Sequence, residues 1–169
     1  MGTFEIVQTV RADLITTFDV FSDFRMHGNY IPLTRIRASD RPMGKGWRFT
    51  ALSGFGRLSL VDRMEITQWD PHNSLTITKF GPLLDGWAQV HFTAEGDDTR
   101  VVWRENIVLR PAAAGALLGP VLDPGNRAMF ARSIKKMAAA AEANDRLDPS
   151  TRAARPGRGP RRAQALRLG

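Results

Sequence analysis

The sequence predicts an α+β fold: one strand, two short helices, about six further antiparallel strands and one long C-terminal helix. Three observations carry this. Stretches between residues 47 and 110 alternate polar and apolar side chains, the period of a half-buried strand. Compact turn signals join them, and connections that short permit only antiparallel neighbours. Beyond Pro111 the chain becomes alanine-rich, with apolar residues at helical spacing.

In chain order, FEIVQTV (4–10) alternates and predicts the first strand. RADLITTFDVFSD (11–23) follows with Leu14, Phe18 and Phe21 on one helical face. Asp23 is placed to cap a second short helix, FRMHGNY, which Gly28 and Pro32 stop. IPLTRIRA (31–38) is a short extended piece, and PMGKG turns the chain into WRFTALS (47–53). After the GFG turn, RLSLVDRMEITQW (57–69) is a long strand that DPHN ends. SLTITKF (74–80), LLDGWAQVHFTA (83–94) and TRVVWRENIVLR (99–110) complete a meander. Asp123-Pro124 is a helix-start signal, an N-cap before a proline in the first turn. Phe130, Ile134, Met137 and Ala141 then share one stripe.

A chain of 169 residues has the length of one domain with room for a tail. The absence of cysteine excludes disulfides, thiolate metal sites and a cysteine nucleophile. Residues 144–169 hold seven arginines and two acids, which is +5 of the net +7. They have no periodicity and almost no large apolar residues, so a disordered basic tail is expected after a domain at 1–143. No secretory signal and no membrane-length apolar run are visible, which makes a cytoplasmic protein the expectation.

The turns predict strand register. A turn at Gly96-Asp97 sets Val101 opposite Phe92, Trp103 opposite Val90 and Glu105 opposite Ala88. A turn at Gly81-Pro82 sets Ala88 opposite Leu75, Gly86 opposite Ile77 and Leu84 opposite Lys79. A turn over 70–73 sets Ile77 opposite Ile66 and Lys79 opposite Met64. One inner face results, running along the long strand through Leu58, Leu60, Asp62, Met64, Ile66 and Gln68. Glu105, Lys79, Asp62 and Gln68 interrupt it with polar groups. An isolated charge in a dry core is very costly, so a curved sheet around a cavity fits this face better than a filled core. The small Ala88 and Gly86 leave room beside Glu105. Three alternatives remain: Glu105 solvated at the mouth, Lys79 reaching out to water, or Asp62 and Lys79 as a structural ion pair. The facing of 47–53 is open. Either Arg48 points inward, or Trp47 and Phe49 do and Arg48 is on the surface.

The three histidines share no metal-ligand spacing, and His91 falls on the outer face. No nucleophile elbow, phosphate loop or dinucleotide fingerprint is present. No metal and no cofactor are expected. If the chain catalyses a reaction, acid–base work by Glu105 or Asp62 is the chemistry that remains.

PMGKGWRF, DRMEITQWDPHNSLTI, GWAQVHF, GDDTRVVWREN and DPGNRAMFARSIKKMAAAAE together resemble the START-like, or SRPBCC, superfamily, which includes polyketide cyclase/dehydrase and lipid-transport proteins. The resemblance covers about residues 3–143 and is similar to small actinobacterial members. It implies a helix-grip fold, a curved antiparallel sheet closed on the C-terminal helix with an apolar ligand between them. The family's aromatic-polyketide cyclases use arginine, tyrosine and tryptophan in the cavity, and here Tyr30 is the only tyrosine.

The expected partner is therefore a small hydrophobic molecule, polyketide-like or lipid-like. Leu60, Met64, Ile66, Ile77, Val90, Phe92, Val101 and Trp103 would wall the cavity, with Phe130, Ile134 and Met137 on the closing helix. Glu105, Asp62 and Lys79 would hold the polar end, with Glu105 and Asp62 as candidate catalytic groups. Carrier and cyclase/dehydratase versions both stand. The alternative is a nucleic-acid-associated protein using the arginine tail, which lacks the interleaved aromatics of a base-stacking surface.

Overall fold

A computed structural model describes residues 3–54 and 60–147, with the backbone alone over 112–124. Seven strands form one antiparallel sheet: β1 (Thr3–Val10), β2 (Thr34–Ala38), β3 (Arg48–Ser53), β4 (Leu60–Asp70), β5 (Ser74–Phe80), β6 (Leu84–Glu95) and β7 (Asp98–Leu109). Their order is β1-β7-β6-β5-β4-β3-β2, so the meander runs unbroken from β2 to β7 and β1 closes beside β7. The segment between β1 and β2 crosses from one sheet edge to the other as α1 (Leu14–Ser22), a 3-10 turn (Phe24–Met26) and α2 (His27–Tyr30). The long helix α3 (Ala112–Leu147) packs against α1 and β1. This is the helix-grip arrangement.

Local chemistry accounts for these elements. Asp13 caps α1 by accepting from the Thr16 N–H at 2.7 Å, and Asp23 starts the 3-10 turn by accepting from the Arg25 N–H. The predicted face of α1 is buried at Phe18 and Phe21. Phe18 and Phe21 meet Phe92 of β6 edge-on, and Phe24 stacks on Phe49 of β3 at 5.0 Å. On α3, Ile134, Met137, Ala138 and Ala141 are buried.

The β6–β7 register is the predicted one, with Glu105 opposite Ala88. Ile77 opposite Ile66 and Lys79 opposite Met64 also hold. Between β5 and β6 the true register is shifted by two: Ala88 pairs with Ile77, and Lys79 with Gly86. A shift of two preserves the face, which is why every inner residue stays inner. Past Ile66 the register of β4 slips at a bulge, so Gln68, expected inside, is exposed and Trp69 turns toward the core instead. Trp47, Phe49 and Ala51 of the β3 region point inward. Arg48 is on the outer surface, paired with Glu65 at 2.7 Å.

Two boundaries are corrected. The Asp123-Pro124 start signal falls inside a helix that already begins at Ala112. At the other end α3 runs to Leu147 rather than stopping at 143. Asp145 is buried there and accepts from the Asp13 N–H, while Glu142 pairs with Arg11. Leu58 and the basic tail beyond Leu147 lie outside the described residues.

Candidate functional site: a charged cluster in an apolar cavity

The inner face of the sheet is filled along only part of its length. Toward α1 and the C-terminal half of α3, aromatic and aliphatic side chains close up. Toward the other end a cavity of about 370 Å³ remains between the sheet, the Phe24–His27 segment and α3. Its deep part is buried, with Phe24, His27, Phe49, Trp103 and Glu105 on the wall. Its rim is half-buried at Ile31, Ser53, Leu60, Asn126 and Phe130.

Eight of the predicted site residues line this space: Leu60, Asp62, Met64, Ile77, Lys79, Trp103, Glu105 and Phe130. The other six do not. Ile66, Val90, Phe92, Val101, Ile134 and Met137 are buried on the predicted face, but in the packed half of the core. Parity along a strand assigns a face, whereas the helices laid across that face determine which half is filled.

Three charged side chains meet in the cavity wall. Lys79 Nζ lies 2.7 Å from Asp62 Oδ2 and 3.3 Å from Glu105 Oε1. The backbone explains how. Asp62 lies on β4, next to β5, two residues from Met64, which pairs with Lys79. Glu105 is two strands away on β7, with β6 between them, and the β6 residues facing Lys79 and Glu105 are Gly86 and Ala88. Neighbouring strands are about 4.8 Å apart, so a lysine can span β6 only where nothing stands in its path. Gly86 is required on a second count: its φ is +129°, and a Cβ there would sit 2.1 Å from the Asn106 carbonyl oxygen. The same two small residues open the cavity.

All three charges are buried, Glu105 to 1% exposure. Glu105 Oε2 also accepts from Trp103 Nε1 at 3.1 Å. Burial raises the Glu105 pKa above its ordinary value, a push that Lys79 and the Trp103 hydrogen bond oppose without cancelling. For Lys79 burial alone would lower the pKa, but the pull of Glu105 and Asp62 carries it above the usual lysine value. Asp62 Oδ1 is buried and receives no hydrogen bond from the described residues.

His27 is the site residue that sequence reasoning passed over. It is buried, and its Nε2 lies 3.0 Å from the Phe21 carbonyl oxygen. A carbonyl only accepts, so Nε2 carries the proton and Nδ1 is left as an acceptor. Burial pushes its pKa down to about 4, which keeps the ring neutral. The signal was its place three residues after Phe24, on the same inward side of a capped turn. His91 is exposed on the outer face, as its register predicted. Among the described residues no group of histidines and carboxylates is placed to hold a metal, and no helix is long and apolar enough to cross a membrane.

The fold recurs in solved structures. TTHA0849 from Thermus thermophilus superposes with a TM-score of 0.68 at 15% identity, over 84% of this chain and 98% of that one. The di-domain aromatase/cyclase StfQ of the steffimycin biosynthetic pathway gives 0.64 at 14%, over 87% of this chain and 52% of that one. The Zhui aromatase/cyclase from Streptomyces sp. R1128 gives 0.62 at 15%, over 88% and 96%. At these identities the likeness is one of fold. No curated protein sequence matches the chain. Residues 1–142 do match the family described as polyketide cyclase / dehydrase and lipid transport, and that match spans the described sheet and nearly all of α3. The chain belongs to the polyketide cyclase / dehydrase and lipid transport family.

Proposed function

We propose that this protein binds a small, largely apolar molecule in the cavity between the sheet and α3, with the polar end of that molecule against the Lys79–Asp62–Glu105 cluster. The observation that carries this reading is a cavity of about 370 Å³, apolar over most of its wall, with three buried charged groups gathered on one side. That is the general form of a small-molecule site: a concave apolar space with a few convergent polar groups. An unused charge cluster would cost stability without return. The family supports the same reading, since its description covers both chemistry on polyketides and transport of lipids.

A second reading, turnover by acid–base chemistry, is supported by the raised pKa of Glu105. A carboxyl whose pKa burial has raised is brought closer to use as an acid or base, and cyclisation and dehydration both need a proton delivered or removed. Under this reading Glu105 is the proton donor, Lys79 the group that sets its charge, and Trp103 the group that orients it. A carrier returns its ligand unchanged, so product analysis separates the two readings.

The test is to fill the cavity. Ala51 lines it opposite Asp62 across the β3–β4 ladder. Ala51→Leu should weaken binding of 2-naphthol by at least about tenfold, because the added methyl groups occupy the space the ring needs. The melting temperature should hold, since those groups enter empty volume. Unchanged 2-naphthol binding in a folded Ala51→Leu protein would show that the cavity is not the site.

A further inference from the structure

The donors and acceptors of the cluster can be counted. An ammonium group has three N–H donors and no acceptor. Those of Lys79 are directed at Asp62 Oδ2 (2.7 Å), Glu105 Oε1 (3.3 Å) and the Met64 sulfur (3.7 Å). No donor of Lys79 is left over. The indole N–H of Trp103 is committed to Glu105 Oε2, and the ring N–H of His27 to the Phe21 carbonyl. The deep end of the cavity thus has its donors engaged internally. Two lining residues are left with acceptor capacity: His27, whose second ring nitrogen carries no proton, and above all Asp62, whose Oδ1 is buried and receives no hydrogen bond from the described residues. A buried carboxylate oxygen without a donor is destabilised, so the site favours any occupant that brings one.

The charge balance points the same way. One ammonium faces two carboxyl groups in a low-dielectric space. A further anion beside them would be repelled by both acids and would find no lysine donor to meet it. A hydroxyl meets the need for a donor without a charge, and a protonated amine meets it while balancing the second carboxylate.

Resting on the cavity reading above, we propose that this is an acceptor site. It selects apolar molecules that carry a hydrogen-bond donor, a hydroxyl or an amine, to place against the Asp62 carboxyl group, and it discriminates against free carboxylates. A lysine in an apolar cavity would ordinarily suggest the opposite preference, for fatty-acid-like anions. Here the internal pairing of Lys79 reverses that expectation.

Four probes of one ring size test it by calorimetric titration near pH 7: naphthalene, 2-naphthol, 2-naphthylmethylamine and 2-naphthoate. The wild-type protein should bind the naphthol, the amine or both at least about tenfold more tightly than naphthalene and 2-naphthoate, the size of one hydrogen bond to a charged group. A preference for the naphthol alone identifies a neutral donor, and a preference for the amine alone identifies a cation. Asp62→Asn should bring all four within roughly threefold of one another, with naphthalene affinity unchanged as the sign that the cavity is intact. Should that variant not fold, the wild-type ranking still decides. Binding of 2-naphthoate as tight as that of 2-naphthol and the amine overturns the acceptor site and leaves the cavity reading standing. A donor preference that survives in folded Asp62→Asn also overturns it. If none of the four binds, both the cavity reading and this inference fall.

Discussion

At the scale of single residues, the cluster is a case in which the same three side chains carry unequal weight. Lys79 is the one cation between two buried carboxyl groups. Lys79→Met keeps the length of the stem and removes the charge, leaving Asp62 and Glu105 facing each other uncompensated. The expected loss is about 3–5 kcal/mol, the usual result of breaking a buried ion pair from one side. Glu105→Gln leaves Lys79 paired one-to-one with Asp62 and keeps an acceptor for Trp103. Its cost should stay below about 1 kcal/mol, the net worth of an ordinary hydrogen bond. Urea denaturation of the three proteins checks the asymmetry, and equal losses would mean that Glu105 is the counter-charge Lys79 depends on. The facing of these residues was legible from alternation alone. Their meeting was not, because Lys79 and Glu105 stand two strands apart and touch only across Gly86 and Ala88.

At the scale of elements, the short segment from Phe24 to Tyr30 is held to the body of the protein partly by one neutral imidazole. His27 has a folded pKa of about 4, and the ordinary value in an unfolded chain is about 6.5. Between those values the unfolded chain binds a proton that the folded one refuses, so stability rises with pH across that window and is flat above it. Acidification from pH 7 to pH 4 should cost wild type about 3 kcal/mol from this group, and His27→Gln should lack that part of the slope. Parallel urea titrations at several pH values measure it. Identical slopes in the two proteins would show that the ring is not buried neutral. The sequence placed a short capped helix here but had no means of turning it inward. Its inward face is set by Phe24 stacking on Phe49, a strand residue whose own facing the GFG turn leaves undecided in the sequence.

At the scale of the whole molecule, the end of the domain is a matter of one buried carboxylate. Asp145 accepts from the backbone of Asp13, the residue that caps α1, so the last turn of α3 locks the start of the first helix. Truncation after Leu147 should leave the melting temperature within about 2 °C of full length, since residues 148–169 offer no large apolar surface to bury. Truncation after Ala143 should lower it by about 2–8 °C for each 1 kcal/mol lost with Asp145. A thermal melt of the three chains decides. A collapse after removal of 148–169 alone would mean that the basic segment packs on the domain.

The sequence by itself determined the element order, the antiparallel meander, the inner and outer faces of four strands and the presence of charges on an apolar face. These are local or nearest-neighbour properties: side-chain period, turn chemistry and the pairing of strands that adjoin in the chain. Even the two-residue error at Gly81-Pro82 left the faces unchanged, because the strand period is two. Only the tertiary structure decided that Phe18 and Phe21 fill one half of the sheet and leave the other half open, that Gln68 is expelled at a bulge, and that His27 joins the wall. Each of those depends on which surfaces meet across the core, and contacts between elements distant in the chain leave no periodic mark in the sequence.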